Sequence, residues 1–197
     1  MRSLYGEQER FRSRVVMEHH NYGRGEYQYF AYPLPALVQE LRETLYARLL
    51  PVAERWREVL GLPGKLPTTH AGYIARCRKA GQVRPTPLLL RYGAGDYNCL
   101  HQDLYGELSF PLQAVFLLSE PGADFDGGEF MLVEQRPRMQ SKAQVVPLRA
   151  GDGAVFAVNH RPAQGRRGYY RAAMRHGVSE IRRGERLTLG VILHDAA

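Results

Sequence analysis

The feature that most constrains this chain is a change of rhythm at Pro85. Beyond it, "TPLLLRY", "FPLQAVFLLSE", "GEFMLVEQ", "AQVVPL", "GAVFAV" and "LTLGVILHD" follow as short apolar or alternating runs, separated by glycine, proline and aspartate. Such runs read as strands. About eight in succession can bury their apolar faces by closing into a sandwich or jelly-roll barrel.

Ahead of Pro85 the rhythm is different. The lead-in "EHHNYGRGEYQYFAYPL" reads as irregular or strand-like. From Pro35 onward Leu37, Leu41, Leu45, Leu49, Val52, Trp56 and Leu60 recur at three- and four-residue steps, which predicts a helix that Pro51 kinks or divides. A second helix is expected over "THAGYIARCRKAG", with Gly81 as its stop. No repeat, low-complexity tract or polar linker interrupts the chain. The expected class is α+β in one domain, 1–197. Residues 1–84 would form a helical N-terminal support packed on one sheet, and residues 85–197 a jelly-roll core carrying the site.

Charge and cysteine content bound the function loosely. The net charge of +7 is almost wholly arginine, because Lys65, Lys79 and Lys142 are the only lysines among 27 basic residues. Arginine forks suit carboxylates and phosphates, so nucleic acid or another anionic partner is compatible. An arginine-rich genome would give the same composition. Two cysteines, Cys77 and Cys99, cannot make a disulfide framework, and "MRSLYGEQERFRSRVV" has no continuous apolar run. A cytoplasmic protein with no membrane partner is expected.

Within this frame "YNCLHQDLYGE" places His101 and Asp103 two residues apart, on one face of an extended segment. Two metal ligands need a third. His19 and His20 lie in the polar lead-in, and His70 follows "LPTT" at a helix start, where solvation is expected. His160 is in a loop, and His194 stands beside a terminus expected to fray. His176 sits inside a strand and is the best candidate.

The segment "YYRAAMRHGVSEIRRGERLTLGVIL" reads as two strands joined by a three-residue turn, Arg182-Arg183-Gly184. That register pairs Ile181 with Glu185, Glu180 with Arg186, and His176 with Gly190. His176 and Arg186 then share a face about 13 Å apart. Glu180 across the ladder offers Arg186 a plain ion pair as the alternative role.

Two histidines and a carboxylate on one side of a metal leave open positions, the donor set of non-haem Fe(II) oxygenases, although catalytic zinc accepts the same ligands. A five-carbon dicarboxylate that chelates iron at one end would need a bidentate cation for its far carboxylate, and Arg186 suits that role.

At this point the chain resembles the Fe(II)/2-oxoglutarate-dependent dioxygenases. The matching pieces are "RYGAGDYNCLHQD", "DGGEF", "GDGAVFAV" and "RHGVSEIRRGERLTLGVILHD", in order from Arg91 to Asp195. It is most similar to a little-characterised bacterial group described as acting on damaged DNA, through "FRSRVVM", "GEYQYF", "PTPLLLRYGAGDYNCLHQDLYGE", "EQRPRMQS" and "RHGVS". That group leads one to expect a further N-terminal helical segment.

The resemblance implies a double-stranded β-helix and Fe(II), 2-oxoglutarate and O2 as cofactors. It assigns His101, Asp103 and His176 as ligands, Arg186 as the 2-oxoglutarate anchor and Tyr92 as a second co-substrate residue. Tyr92 reads equally as a core aromatic, and Tyr97 is a further candidate. The implied reaction is decarboxylation of 2-oxoglutarate coupled to C–H hydroxylation. Its substrate could be an alkylated nucleic acid base, a small molecule or a protein side chain. A jelly-roll binding module without activity is the remaining alternative.

Among the surrounding groups, Gln102, Asn98 and Glu129 are candidates to orient the histidines. Cys99 is a fourth ligand or a small thiol near the pocket. Asp126-Gly127-Gly128 reads as a turn bringing a strand close to the pocket, and "EQRPRMQSK" and "NHRPAQGRRGYYR" read as basic loops compatible with nucleic acid.

Overall fold

The computed structural model describes residues 1–197. Its strands are β1 (Phe11–Val16), β2 (Gly23–Arg24), β3 (Glu26–Phe30), β4 (Leu88–Tyr92), β5 (Tyr97–His101), β6 (Leu112–Leu117) and β7 (Phe125–Gly127). They continue as β8 (Phe130–Gln135), β9 (Lys142–Val146), β10 (Gly153–Ala157), β11 (His160–Gly165), β12 (Gly168–Val178), β13 (Ile181–Gly184) and β14 (Arg186–Ile192). One sheet runs β1-β3-β4-β14-β6-β10 and the other β2-β5-β12-β8-β9, with β11 also paired to β12. All of their ladders are antiparallel. The arrangement is the double-stranded β-helix.

The N-terminal third does more than supply helices. Its strands β1 and β3 extend the first sheet at the β4 edge, and β2 extends the second at β5. The helices are α1 (Ala36–Val59) and α2 (His70–Lys79). The Thr69 hydroxyl caps α2 by accepting the Gly72 N–H at 3.1 Å, and the helix ends before Gly81, whose φ of +80° continues no right-handed turn.

Pro51 does not divide α1, which is helical throughout. A proline costs one backbone hydrogen bond, and here the buried face of the helix outweighs that loss. That face lies one residue from the expected stripe. Leu37 and Val52 are exposed, whereas Val38, Arg42, Tyr46 and Ala53 are buried against the first sheet.

Strand β14 sits centrally, and all seven of its residues are buried because both faces are covered. Leu189 and Val191 pack under α1 and α2, while Arg186, Thr188, Gly190 and Ile192 line the cavity between the sheets. Alternation along one strand thus separates support from site.

The expected hairpin between His176 and Gly190 is not formed. Strand β12 lies in the second sheet, with His176 opposite His101 and Leu132, and β14 lies in the first, with Arg186 opposite Tyr92. Ile181–Gly184 is a separate short strand on β7. Gly184 is left-handed as expected, with φ +81°, but for a different reason: a Cβ there would come 2.0 Å from the Asp124 carbonyl. Turn chemistry is local, whereas here each flanking strand finds a longer partner in a different sheet.

Candidate metal centre

Strand β5 ends at His101, and the chain then turns so that Asp103 faces back into the barrel. The Nδ1–H of His101 is within hydrogen-bonding distance of the Cys99 carbonyl at 2.8 Å, which leaves Nε2 free to face the cavity. His101 Nε2 lies 3.6 Å from Asp103 Oδ1, and His176 Nε2 lies 3.2 Å from Asp103 Oδ2. One potential ligand atom from each residue lies within 4.8 Å of the others, close enough to share one ion. No other cluster of histidine, cysteine and carboxylate meets that condition.

The cluster is deeply set. Phe156 and Phe130 wall His176, with ring centroids 4.7 and 6.2 Å away. Burial pushes the Asp103 carboxyl up, but the two imidazoles more than offset it and hold the group well below the ordinary carboxylate range. Burial also pulls His176 down, against the raising effect of Asp103. Both effects favour the deprotonated ligand forms that a metal requires. At His101 the pull of burial is outweighed by Asp103, which raises it. The buried Nδ1 of His176 has no hydrogen-bond partner.

Tyr105 was not anticipated. Its hydroxyl donates to Asp103 Oδ1 at 2.8 Å, and the Tyr29 hydroxyl donates to Tyr105 at 3.0 Å. The spacing Asp103–Tyr105, again two residues, was the available signal. The Tyr29 partner was invisible because it arrives from β3.

Of the residues expected to orient the histidines, Gln102 donates to the Asn159 and Met174 carbonyls, both at 2.9 Å, and so ties the His101 segment to β12. Asn98 donates to the Tyr92 hydroxyl at 3.2 Å. Glu129 instead accepts from the Ser179 hydroxyl, near Arg182. None bonds to an imidazole. Cys99 is exposed at the cavity rim, and Tyr97 is exposed on β5.

Arg186 lies on the cavity wall, 2% exposed, with no acidic partner. Glu180 is exposed and stands elsewhere, so the expected cross-strand ion pair is absent. NH1 donates to Thr188 Oγ1 at 2.5 Å, and Nε is buried without any partner. Burial draws its pKa down. Tyr92 is fully buried beside it, its hydroxyl pushed up to about 12, so the phenol is neutral. The Asp126–Gly128 turn does approach this site. At Gly128, with φ +62°, a Cβ would come 2.9 Å from Arg186 Cδ.

The remaining histidines stay apart from the cluster. His19 and His20 are exposed in a 3-10 turn, and His160 is half-buried at the start of β11. His70 is buried, not solvated, with Nε2 3.1 Å from the Leu193 carbonyl. His194 is fully buried, and its Nδ1 accepts the Phe110 N–H at 3.3 Å. The C-terminus does not fray.

Cluster, arginine and wall residues share one cavity of about 500 Å³ between the sheets. A double-stranded β-helix with two histidines and a carboxylate converging inside it defines the Fe(II)/2-oxoglutarate oxygenase class, whose cofactors are Fe(II), 2-oxoglutarate and O2. The chain belongs to the family described as "Oxygenase, catalysing oxidative methylation of damaged DNA", whose model matches residues 25–196.

It is 49% identical over 168 residues to an uncharacterized protein of Mycobacterium tuberculosis, in strains H37Rv and CDC 1551, across 85% of this chain and 72% of that one. Among solved structures it is similar to a prolyl-4-hydroxylase of Pseudomonas putida (17% identity, 96% of this chain, 78% of that chain, TM-score 0.47). It is also similar to an oxidoreductase of the 2OG-Fe(II) oxygenase family from Burkholderia pseudomallei (21% identity, 64% of this chain, TM-score 0.41). The likeness spans about half of that protein, 53%.

Proposed function

We propose that this protein is an Fe(II)- and 2-oxoglutarate-dependent dioxygenase that hydroxylates a substrate C–H bond, with an alkylated nucleic acid base as its substrate. His101, Asp103 and His176 are its iron ligands, and Arg186 holds the distal carboxylate of 2-oxoglutarate. The observation that carries this reading is the pairing of a converged two-histidine–carboxylate cluster with a buried arginine that lacks an acid, in one cavity. The family description supports the nucleic acid substrate.

The donor chemistry fits the group. Two imidazole nitrogens and one carboxylate suit Fe(II), and a buried guanidinium with an orphaned Nε suits a carboxylate. Once bound there, Fe(II), 2-oxoglutarate and O2 supply oxidative decarboxylation to succinate and CO2 coupled to insertion of one oxygen atom into the substrate C–H bond. Where that carbon is an N-methyl group, the hydroxymethyl product breaks down to free amine and formaldehyde.

The chain's own residues do the rest. The Cys99 carbonyl holds the His101 tautomer, and Tyr105 restrains Asp103. Phe130 and Phe156 exclude water around His176, which strengthens every charge interaction in the cavity. Arg186 and Thr188 position the co-substrate, and the neutral Tyr92 hydroxyl lies on the same wall.

The test begins with protein purified without oxygen. Fe(II) and 2-oxoglutarate are added, oxygen is admitted, and succinate is followed in wild type, His176→Ala and Arg186→Ala. Succinate that is lost in both variants is the expected result. Formaldehyde release is then measured with N-methylated oligonucleotides. Wild type that binds no more Fe(II) than His176→Ala would overturn the ligand assignment.

A further inference from the structure

The positive charge of this molecule is concentrated in one place. Between Glu134 and Glu180 the chain carries nine Lys and Arg residues and one acid, Asp152, so this segment's formal +8 exceeds the +7 of the whole chain. A genome-wide arginine bias would spread charge along the sequence. The remainder of this chain is instead nearly neutral, with a slight acidic excess.

The strand registers say where this charge goes. His176 pairs with His101 at the end of β5, and Ala173 pairs with Gln135 at the end of β8. The β8–β9 loop, with Arg136 and Arg138 and leading into Lys142 at the start of β9, therefore leaves the sheet three rungs beyond His176, about 10 Å away. Strand β12 continues past that point with β11 as a two-stranded arm, whose tip at Gly165–Gly168 carries Arg166 and Arg167. The tip is eight rungs from His176, about 26 Å along the strand. Loop and arm both rise from the metal-cluster end of the second sheet.

Alternation also fixes the face. Met174 shares the His176 face of β12; opposite it stands Glu134, and Lys142 stands opposite Glu134 in turn. Arg161, opposite Ala172, lies on the same face. Together with Arg136 these side chains line a groove of about 350 Å³ beside Trp56, Leu132 and Met174. Glu134 is the one carboxylate there and is shared by Arg136 and Arg161. Arg138, Lys142, Arg166 and Arg167 are exposed and have no acidic partner. Phe156 lines both this groove and the metal-cluster cavity.

We propose that this basic loop and arm form the docking surface for the phosphodiester backbone of single-stranded nucleic acid, which runs along the groove toward Phe156. The partner class rests on the function proposed above, whereas the surface and the single-stranded form are new. Spaced arginine forks suit successive phosphates, and Tyr169 and Tyr170 on the arm and Trp56 in the groove offer faces for bases. A base must leave its stack to enter a cavity of this size, which favours a strand already unpaired.

The test uses the 197-residue chain without iron and a short fluorescent oligothymidylate at several salt concentrations. The probe carries no alkylated base, so binding is read apart from catalysis. In the arm variant Arg138→Glu, Lys142→Glu, Arg166→Glu and Arg167→Glu are combined. The control is Arg48→Glu with Lys79→Glu, two exposed reversals on α1 and α2. Wild type and control should bind with a steep salt dependence. The arm variant should bind at least about a hundredfold more weakly at low salt, with the log–log salt slope reduced by about 3, as expected for four lost phosphate contacts at roughly 0.7 each.

Wild type that does not bind, an arm variant within twofold of wild type, a control that falls equally, or a duplex bound more tightly than the single strand would each overturn the proposal. Succinate formation without substrate, measured on the same preparations after Fe(II), 2-oxoglutarate and oxygen are added, separates the two readings. Binding lost while succinate persists leaves the oxygenase standing, and binding without succinate leaves only the docking surface.

Discussion

At the scale of single residues, the proposed iron ligands depend on groups that hold them still. Tyr105 gives Asp103 a charge-assisted hydrogen bond, and such partners of a metal-bound carboxylate are worth roughly ten- to a hundredfold in metal affinity. Tyr105→Phe should weaken Co(II) binding, read by titration calorimetry, by about that factor. Tyr29→Phe, one bond further out, should cost less. The proposed role of Arg186 as 2-oxoglutarate anchor tests geometry in place of charge: Arg186→Lys keeps the cation but loses the fork, so 2-oxoglutarate affinity should fall about tenfold or more while Fe(II) affinity is unchanged. His101 and Asp103 were legible in the sequence because they stand two apart in a recognisable strand. Tyr105 has the same spacing but gains meaning only through its bond to Asp103.

At the scale of elements, α1 is joined to the C-terminal segment by a buried polar staple. Arg42 donates to the Ile192 carbonyl at 2.9 Å, to the Tyr32 hydroxyl at 3.0 Å and to Asp195 Oδ1 at 2.8 Å. Both charged side chains are completely inaccessible to water. Removing one member leaves the other charge buried and unpaired, which costs about 3–5 kcal/mol. Arg42→Met should therefore lower the urea midpoint substantially, whereas Arg48→Met, on the exposed face of the same helix, should leave it nearly unchanged. This staple explains why the buried stripe of α1 was misplaced by one residue. Leucine spacing marks an apolar face, but an arginine and a tyrosine with satisfied polar ends can occupy the core, and periodicity counts them as surface.

At the scale of the whole molecule, two neutral histidines make folding sensitive to acid. Burial, reinforced by Arg42, lowers both His70 and His194 to about 4. Unfolded, each would titrate near 6.5, so between about 6.5 and 4 the unfolded chain binds more protons and stability falls as pH falls. The loss saturates below the folded values, at on the order of 3 kcal/mol for each histidine. Urea midpoints measured from pH 7 to 4.5 should drop, and His70→Gln should flatten part of that slope.

The sequence by itself determined the α+β class, the places of both helices, the short strands beyond Pro85 and the residue types of a two-histidine–carboxylate cluster. These rest on periodicity and spacing within a few residues, which the backbone obeys locally. Only the tertiary structure decided that His176 pairs with His101 while Arg186 pairs with Tyr92 in the other sheet, that Tyr29 reaches Tyr105, and that His70 and His194 are core residues. Alternation specifies which face a side chain takes, but not which strand lies beside it. That choice follows from the burial of apolar area and the pairing of backbone groups across more than a hundred residues.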